Sequence, residues 1–352
     1  RTHTATITGS FSALTSSFAN GTRSDVASTG ILLKAQNDTD STKAITLGSS
    51  GGYDGIGITQ KSTEKPALFN ARRYVGTGTD GREVSDFGFQ PDVVWIKNRN
   101  QNGVHHNLYD SVRGVDASDG NKLVTNQNIA QNNSGFGYGN IQRFTKDGFT
   151  LEKGSQNSHG HTNANDDTYI AWAWKAGTSF TPTTSGSGYS GHVGSRNTAG
   201  GFSIVKITAG SGTTAAQNVS HGLSQAPDFI IGKSCGHAYN WDVYHKNLTS
   251  ANKRLTLNTN DAESDYATGG WGVTSSVFNT GGSTQHGAST DIIYYCFHAV
   301  AGVSAFGTYT GTTTTEQNIG FKPRFLMVKC SSHSSGGWVM HDYSRANANG
   351  IT

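Results

Sequence analysis

Asp261, Glu263 and Asp265 alternate along the chain, and on an extended strand alternate side chains face one way. Two carboxylates about 5 Å apart are what a retaining glycosidase needs, and such an oxygen cluster also suits a hard cation such as calcium. The surroundings favour neither. The stretch runs into Gly269-Gly270, as a solvated turn does. The corresponding stretch of an earlier segment, Asn128-Ile129-Ala130-Gln131-Asn132, has no acid, and the other glutamates stand alone. A solvated loop is expected, and no catalytic residue is assigned.

His159-Gly160-His161 raises metal chemistry, because alternate imidazoles can share one ion. On a three-fold axis three such pairs would offer six nitrogens. The context SQNSHGHTNAND reads as a surface loop, and a later segment offers only His286 nearby. Neither a metal site nor any other cofactor is expected. His105 and His106 would point to opposite faces of a strand. Gly135-Phe136-Gly137-Tyr138-Gly139 reads as a loop, with stacking of its rings on a sugar as the sharper alternative. No G-x-S-x-G stands between a strand and a helix, and no phosphate-binding G-x-x-x-x-G-K-[ST] occurs. Cys235, Cys296 and Cys330 are too few and oddly spaced for a disulfide framework or a zinc site, and buried thiols are expected.

The residues that could position such groups point to β structure. Glycine supplies 46 of 352 residues, charged residues only 14% and aromatics 10%. Small polar residues between short apolar runs suit many strands joined by glycine turns, an all-β chain. A net charge of +3 with scattered Lys and Arg gives no field to gather nucleic acid. No apolar run is long enough to span a membrane as a helix. The chain opens on Arg1 with no signal-like segment, and is expected to be a cleaved product or a piece of something longer.

One pattern is written three times. Six residues after Pro91, Pro227 and Pro323 stand Lys97, Lys233 and Lys329, across the runs Val93-Val94-Trp95-Ile96, Phe229-Ile230-Ile231 and Phe325-Leu326-Met327-Val328. These runs read as strands buried on both faces, with proline at the mouth where no ladder N–H is needed. Upstream, polar strands end at Gly88, Gly222 and Gly320. Downstream come His106 to Asp110, Trp241 to His245 and Trp338 to Asp342. Two copies share a closing strand, Asp167 to Gly177 and Asp291 to Gly302. In the first, Trp172 and Trp174 alternate with Ala171 and Ala173, which puts bulk on one face against a second sheet. Trp95, Trp172, Trp174, Trp241 and Trp338 sit where other copies carry bulky groups, so a core role is expected. Trp271 is the better candidate for exposure.

The expected organisation is an N-terminal β segment or arm at 1–68, a sandwich at 69–177, a Ser/Thr/Gly-rich linker at 178–200, a second sandwich at 201–302 and an incomplete third copy at 303–352. That copy reaches Thr352 without a closing strand, and the polypeptide is expected to continue, the alternative being that a neighbouring chain supplies the missing strands.

PDVVWIKNR, YIAWAWKAG, NTAGGFSIVKIT, HGLSQAPDFIIGK, YYCFHAVAG and FGTYTGTTTTEQNIGFKPRFLMVK together resemble the tandem repeats of large structural proteins of marine bacteriophages. The resemblance covers residues 70 to 352. It implies jelly-roll, concanavalin A-like lectin/glucanase sandwiches in a tail fibre or similar virion appendage, with no assigned catalytic or sugar-binding residues. The resulting expectation is a non-enzymatic structural and adhesive virion protein. Its expected partners are copies of itself, as a trimer, other virion proteins and host surface glycan. The ligand-binding residues are unknown. The alternatives are a secreted glycan-binding module or weak glycanase, and a self-assembling extracellular filament or sheath subunit.

Overall fold

The computed structural model describes residues 32–34, 44–46, 68–115, 121–132, 136–155, 160–212, 215–267, 269–281, 286–311 and 316–345. The chain divides into two compact units, residues 1–66 and 67–352. In the first, β1 (Leu32–Lys34) and β2 (Ala44–Thr46) pair antiparallel. The Gly51 to Gly57 stretch lies outside the described residues.

The second unit begins with β3 (Phe69–Val75), β4 (Arg82–Val84), β5 (Val93–Asn98), β6 (His106–Asp110), β7 (Leu123–Val124), β8 (Ile141–Thr145), β9 (Gly148–Leu151) and β10 (Thr168–Trp174). They form a five-stranded sheet in the order β3-β10-β5-β6-β7 and a three-stranded sheet in the order β4-β9-β8. Phe87, Val94, Ile96, Tyr109, Phe149 and Tyr169 are buried together in one core. This is an antiparallel β-sandwich, the expected class.

Next come β11 (Thr178–Phe180), β12 (Tyr189–Asn197), β13 (Phe202–Ala209), β14 (Asn218–Ser220), β15 (Phe229–Ser234), β16 (Asp242–His245), β17 (Lys253–Thr256), β18 (Ser264–Asp265), β19 (Val277–Asn279) and β20 (Thr290–Phe297). An eight-stranded sheet runs β11-β12-β13-β20-β15-β16-β17-β18, and β14 pairs with β19. Val205, Ile230, Trp271, Phe278 and Tyr294 form a second core. Within the larger sheet, β13-β20-β15-β16-β17 retraces the order β3-β10-β5-β6-β7. A hairpin of β21 (Phe325–Val328) and β22 (Val339–Asp342) then reproduces the β5-β6 and β15-β16 pairings.

Residues 178–200, expected as a linker, instead supply two strands to the sheet. Small polar side chains suit a strand with one wet face, and glycine is required at one point. A Cβ on Gly194 would stand 2.4 Å from the Phe180 ring, which Arg196 covers from 5.0 Å.

The glycine–proline–apolar–lysine pattern has a local cause. Gly88, Gly222 and Gly320 have φ of 81°, 72° and 80°, a left-handed conformation that costs glycine little. Proline follows, then a residue whose N–H reaches the closing strand: Asp92 to the Trp174 carbonyl at 2.8 Å, Asp228 to that of Phe297 at 2.7 Å. The same aspartates clamp the strand's exit, accepting the N–H of Ala176 at 2.8 Å and of Ala299 at 2.5 Å.

The bulky face of β10 does not look into its own sandwich. Ala171 and Ala173 line the inner core, while Ile170 and Trp172 join a third core with Trp95, Leu108, Ile204, Trp241, Val243 and Tyr295. Phe325, Met327, Trp338 and Met340 of the hairpin pack on it. Both central sheets are therefore apolar on both faces, which explains the continuous rather than alternating runs.

Candidate functional site: the junction of two sandwiches and a hairpin

The acidic run does not assemble a site. Asp261 is exposed in a loop. The Glu263 carboxylate accepts the Thr249 N–H at 3.1 Å and the Thr249 hydroxyl. Asp265 pairs with Lys253 at 2.8 Å. Glu263 and Asp265 are held by different partners. Among the described residues, no group of three or more His, Cys, Asp or Glu could hold a metal.

His159 lies outside the described residues. His161 is buried, its Nδ1 3.1 Å from Lys122 Nζ and its ring 4.7 Å from that of Tyr138. Trp271 is fully buried and stacks on Tyr266 at 4.2 Å, because the double glycine lets the chain turn inward ahead of it. Cys235 and Cys296 are buried, whereas Cys330 is exposed; burial pushes the Cys235 thiol up to about 11.

The structure concentrates its polar chemistry where the sandwiches meet. Asp110 and Arg113 form a buried ion pair at 2.6 Å, and Asp110 also takes the backbone N–H of Arg113 at 2.8 Å. Tyr295, from the second sandwich, donates its hydroxyl to the same carboxylate at 2.6 Å. Burial opposes charge on Arg113, yet Asp110, with smaller help from Tyr295 and Cys235, holds its pKa above the ordinary value. The hairpin repeats the device: Arg345 binds Asp342, which accepts the Trp172 indole N–H of the first sandwich at 3.0 Å. Trp241 Nε1 donates to the carbonyls of Val124 and Gln127 at 2.9 and 3.1 Å. Trp338 Nε1 donates to that of Thr256 at 2.9 Å. The indole bonds run second sandwich to first, first to hairpin and hairpin to second, while the Gln131 N–H donates back to the Cys235 carbonyl and the Glu263 N–H to that of Ser331.

A cavity of about 450 Å³ opens at this junction, lined by Trp95 and His106, Leu257, Met327, Trp338 and Met340, and by the amides of Asn126, Asn258 and Asn260. Two of its amides are committed. Asn126 accepts the His106 N–H at 3.0 Å and reaches His105 at 3.0 Å. Asn258 accepts the Trp241 N–H at 2.8 Å and donates to Asn240 at 2.9 Å. Trp95 Nε1 donates to His106 Nδ1 at 3.2 Å.

Sequence reasoning placed Trp95, Trp172, Trp241 and Trp338 in a core but did not single out Asp110, Arg113, Asn126 or Tyr295. A signal existed: Asp110 and Arg113 recur at the same spacing as Asp342 and Arg345.

Buried histidines make the unit sensitive to acid. Burial lowers His106 to about 3, with Lys97 and Arg345 adding to it, His221 to about 4 and His286 to about 3. Depressed folded values mean that the unfolded chain binds protons first, so stability present above pH 6.5 is lost as pH falls toward 3 to 4. Asp242 acts in the opposite sense: burial raises it to about 6 against the pull of Arg254, so its contribution is present below pH 3.8 and lost as pH rises through 6. At pH 5 the three histidines outweigh Asp242, so unfolding takes up protons. Chemical denaturation between pH 4.5 and 6.5 is expected to show stability rising with pH; a flat or falling profile contradicts the assignment.

A family model, "Domain of unknown function (DUF7483)", matches residues 65–352, and the chain belongs to that family. No curated protein and no solved structure matches it.

Proposed function

We propose that this DUF7483 chain is a non-enzymatic structural and adhesive component of a virion appendage of the tail-fibre type, built from concanavalin A-like sandwich modules. The observation that carries this reading is the double burial of the central sheets. The outer face of a sandwich sheet is where a module can present an extended ligand cleft. Here that face is covered by the neighbouring sandwich and the hairpin, which leaves loops as the surface that the two sandwiches offer to a glycan. Interlocked sandwiches transmit load as one stiff body, a property useful in an appendage and unnecessary in a small hydrolase. The separate engagement of Glu263 and Asp265 fits a reading without catalysis. Host surface glycan is the proposed ligand class, and weak contacts multiplied over copies in a trimer would provide avidity.

The native mass of the assembly, followed by binding to host-cell glycans, tests the proposal. A defined small oligomer that binds glycan without hydrolysing it is expected, and alanine at Asp261, Glu263 and Asp265 together should leave glycan binding unchanged. Polysaccharide hydrolysis abolished by one of those substitutions would establish a glycanase instead. Open polymers would establish the filament subunit.

A further inference from the structure

We propose that the junction cavity is the seat of a β-segment: an extended strand with the pattern Asn-Lys, leucine, apolar or Thr, Asn, pairing with the outer edge of β22. The chain already fills this kind of seat twice. In the first sandwich, β7 pairs with β6, Leu123 opposite Leu108. In the second, β17 pairs with β16, Leu255 opposite Val243. Both leucines enter the shared core. Asn126 and Asn258 follow each leucine by three residues and accept the N–H of the first or preceding residue of the neighbouring strand, His106 and Trp241. The hairpin position opposite such a leucine is Met340, a residue of the cavity wall. Among the described residues β22 pairs with β21 alone.

The polar end of the seat is equally defined. Trp241 and Trp338 each donate an indole N–H to a carbonyl of the neighbouring module's strand or the turn after it, Val124 and Thr256. His106 holds the corresponding place in the first sandwich. An indole nitrogen can only donate, so His106 Nδ1 accepts from Trp95. A neutral ring then carries its proton on Nε2, a donor where Trp241 and Trp338 present theirs. Burial keeps His106 neutral. The carbonyl that would complete this series of ring N–H donors belongs to a strand beside β22. A sugar fits less well, because the Asn126 and Asn258 amides and the Trp95 and Trp338 indoles are already bonded. Leu326 adds a separate sign. Its equivalents Val94 and Ile230 are fully buried, whereas it is 44% exposed, so the hairpin has the face of a sandwich sheet without a cover.

This inference rests on pairing geometry and stands whether or not the attachment role holds. It is tested by titrating the full chain with synthetic peptides of residues 121–128 and 252–260. Saturable binding of at least one peptide is expected, with shifts of the Trp338 indole and His106 Nε2–H resonances. Leu255→Asp in the second peptide should abolish binding. His106→Ala in the chain should weaken it about tenfold, the worth of one hydrogen bond, and His106→Gln should restore part of it. Leu326→Lys, on the opposite face, should leave this binding intact and confirm that the chain is folded. No saturable binding of either peptide at millimolar concentration overturns the proposal. So does binding that is indifferent to Leu255→Asp, or displacement of a bound peptide by free hexoses.

Discussion

The Asp110→Ala chain is expected to lose about 3–5 kcal/mol of folding free energy, the cost of leaving a buried charge without its partner. Arg113 and Asp110 are 2% and 0% exposed at their side chains, so water cannot replace the lost carboxylate. Three further bonds end on that carboxylate: the Tyr295 hydroxyl and the backbone N–H groups of Val112 and Arg113. Asp110→Asn keeps acceptors for some of these but still strands the guanidinium, and should fall between the alanine variant and the parent. Tyr295→Phe removes only the bond between sandwiches. In a double-mutant cycle, Asp110 and Tyr295 should couple by about 1–3 kcal/mol, measured from denaturation midpoints at constant slope. Replacing Asp110 and Arg113 together by Leu and Met should recover much of the loss, because the pair's value lies mostly in mutual compensation. Additive single-variant effects would mean that Tyr295 and Asp110 do not meet.

Trp241→Ala carries the second large effect. Its ring is fully buried in the shared core, and deletion of a buried aromatic costs about 3–5 kcal/mol. The indole also satisfies the Val124 and Gln127 carbonyls of the other sandwich, so Trp241→Phe should itself cost about 1–2 kcal/mol. The two variants differ in kind as well as size. Each sandwich has its own inner core, so opening the shared one should let them unfold separately. Calorimetry on Trp241→Ala is expected to give a van't Hoff enthalpy below the calorimetric one, where the parent gives equality. A single cooperative transition in the variant would show that the shared core does not couple the sandwiches.

The pattern of glycine, proline, apolar run and lysine was legible in the sequence because each part has a local cause. Gly88 and Gly222 need left-handed φ, and Pro91 and Pro227 precede strands whose runs are buried on both faces. The alternation of Trp172 with Ala171 gave the two faces of β10, but alternation names a face and never its partner. The large residues turned out to look away from their own sandwich. Residues 178–200 misled because Ser, Thr and Gly serve equally in a linker and in an edge strand; only the Phe180 ring lying over Gly194 reveals the strand. The junction residues were hidden for a related reason. Asp110 and Tyr295 are 185 positions apart, and no local pattern announces that a carboxylate will be buried by a distant hydroxyl.

Amide hydrogen exchange under native conditions tests the central claim most directly, that two sandwiches and a hairpin form one interlocked body. The slowest amides of β10, in the first sandwich, and of β20, in the second, should share one opening free energy and fall together with added denaturant. Two distinct opening energies, with β10 and β20 exchanging independently, would contradict the account.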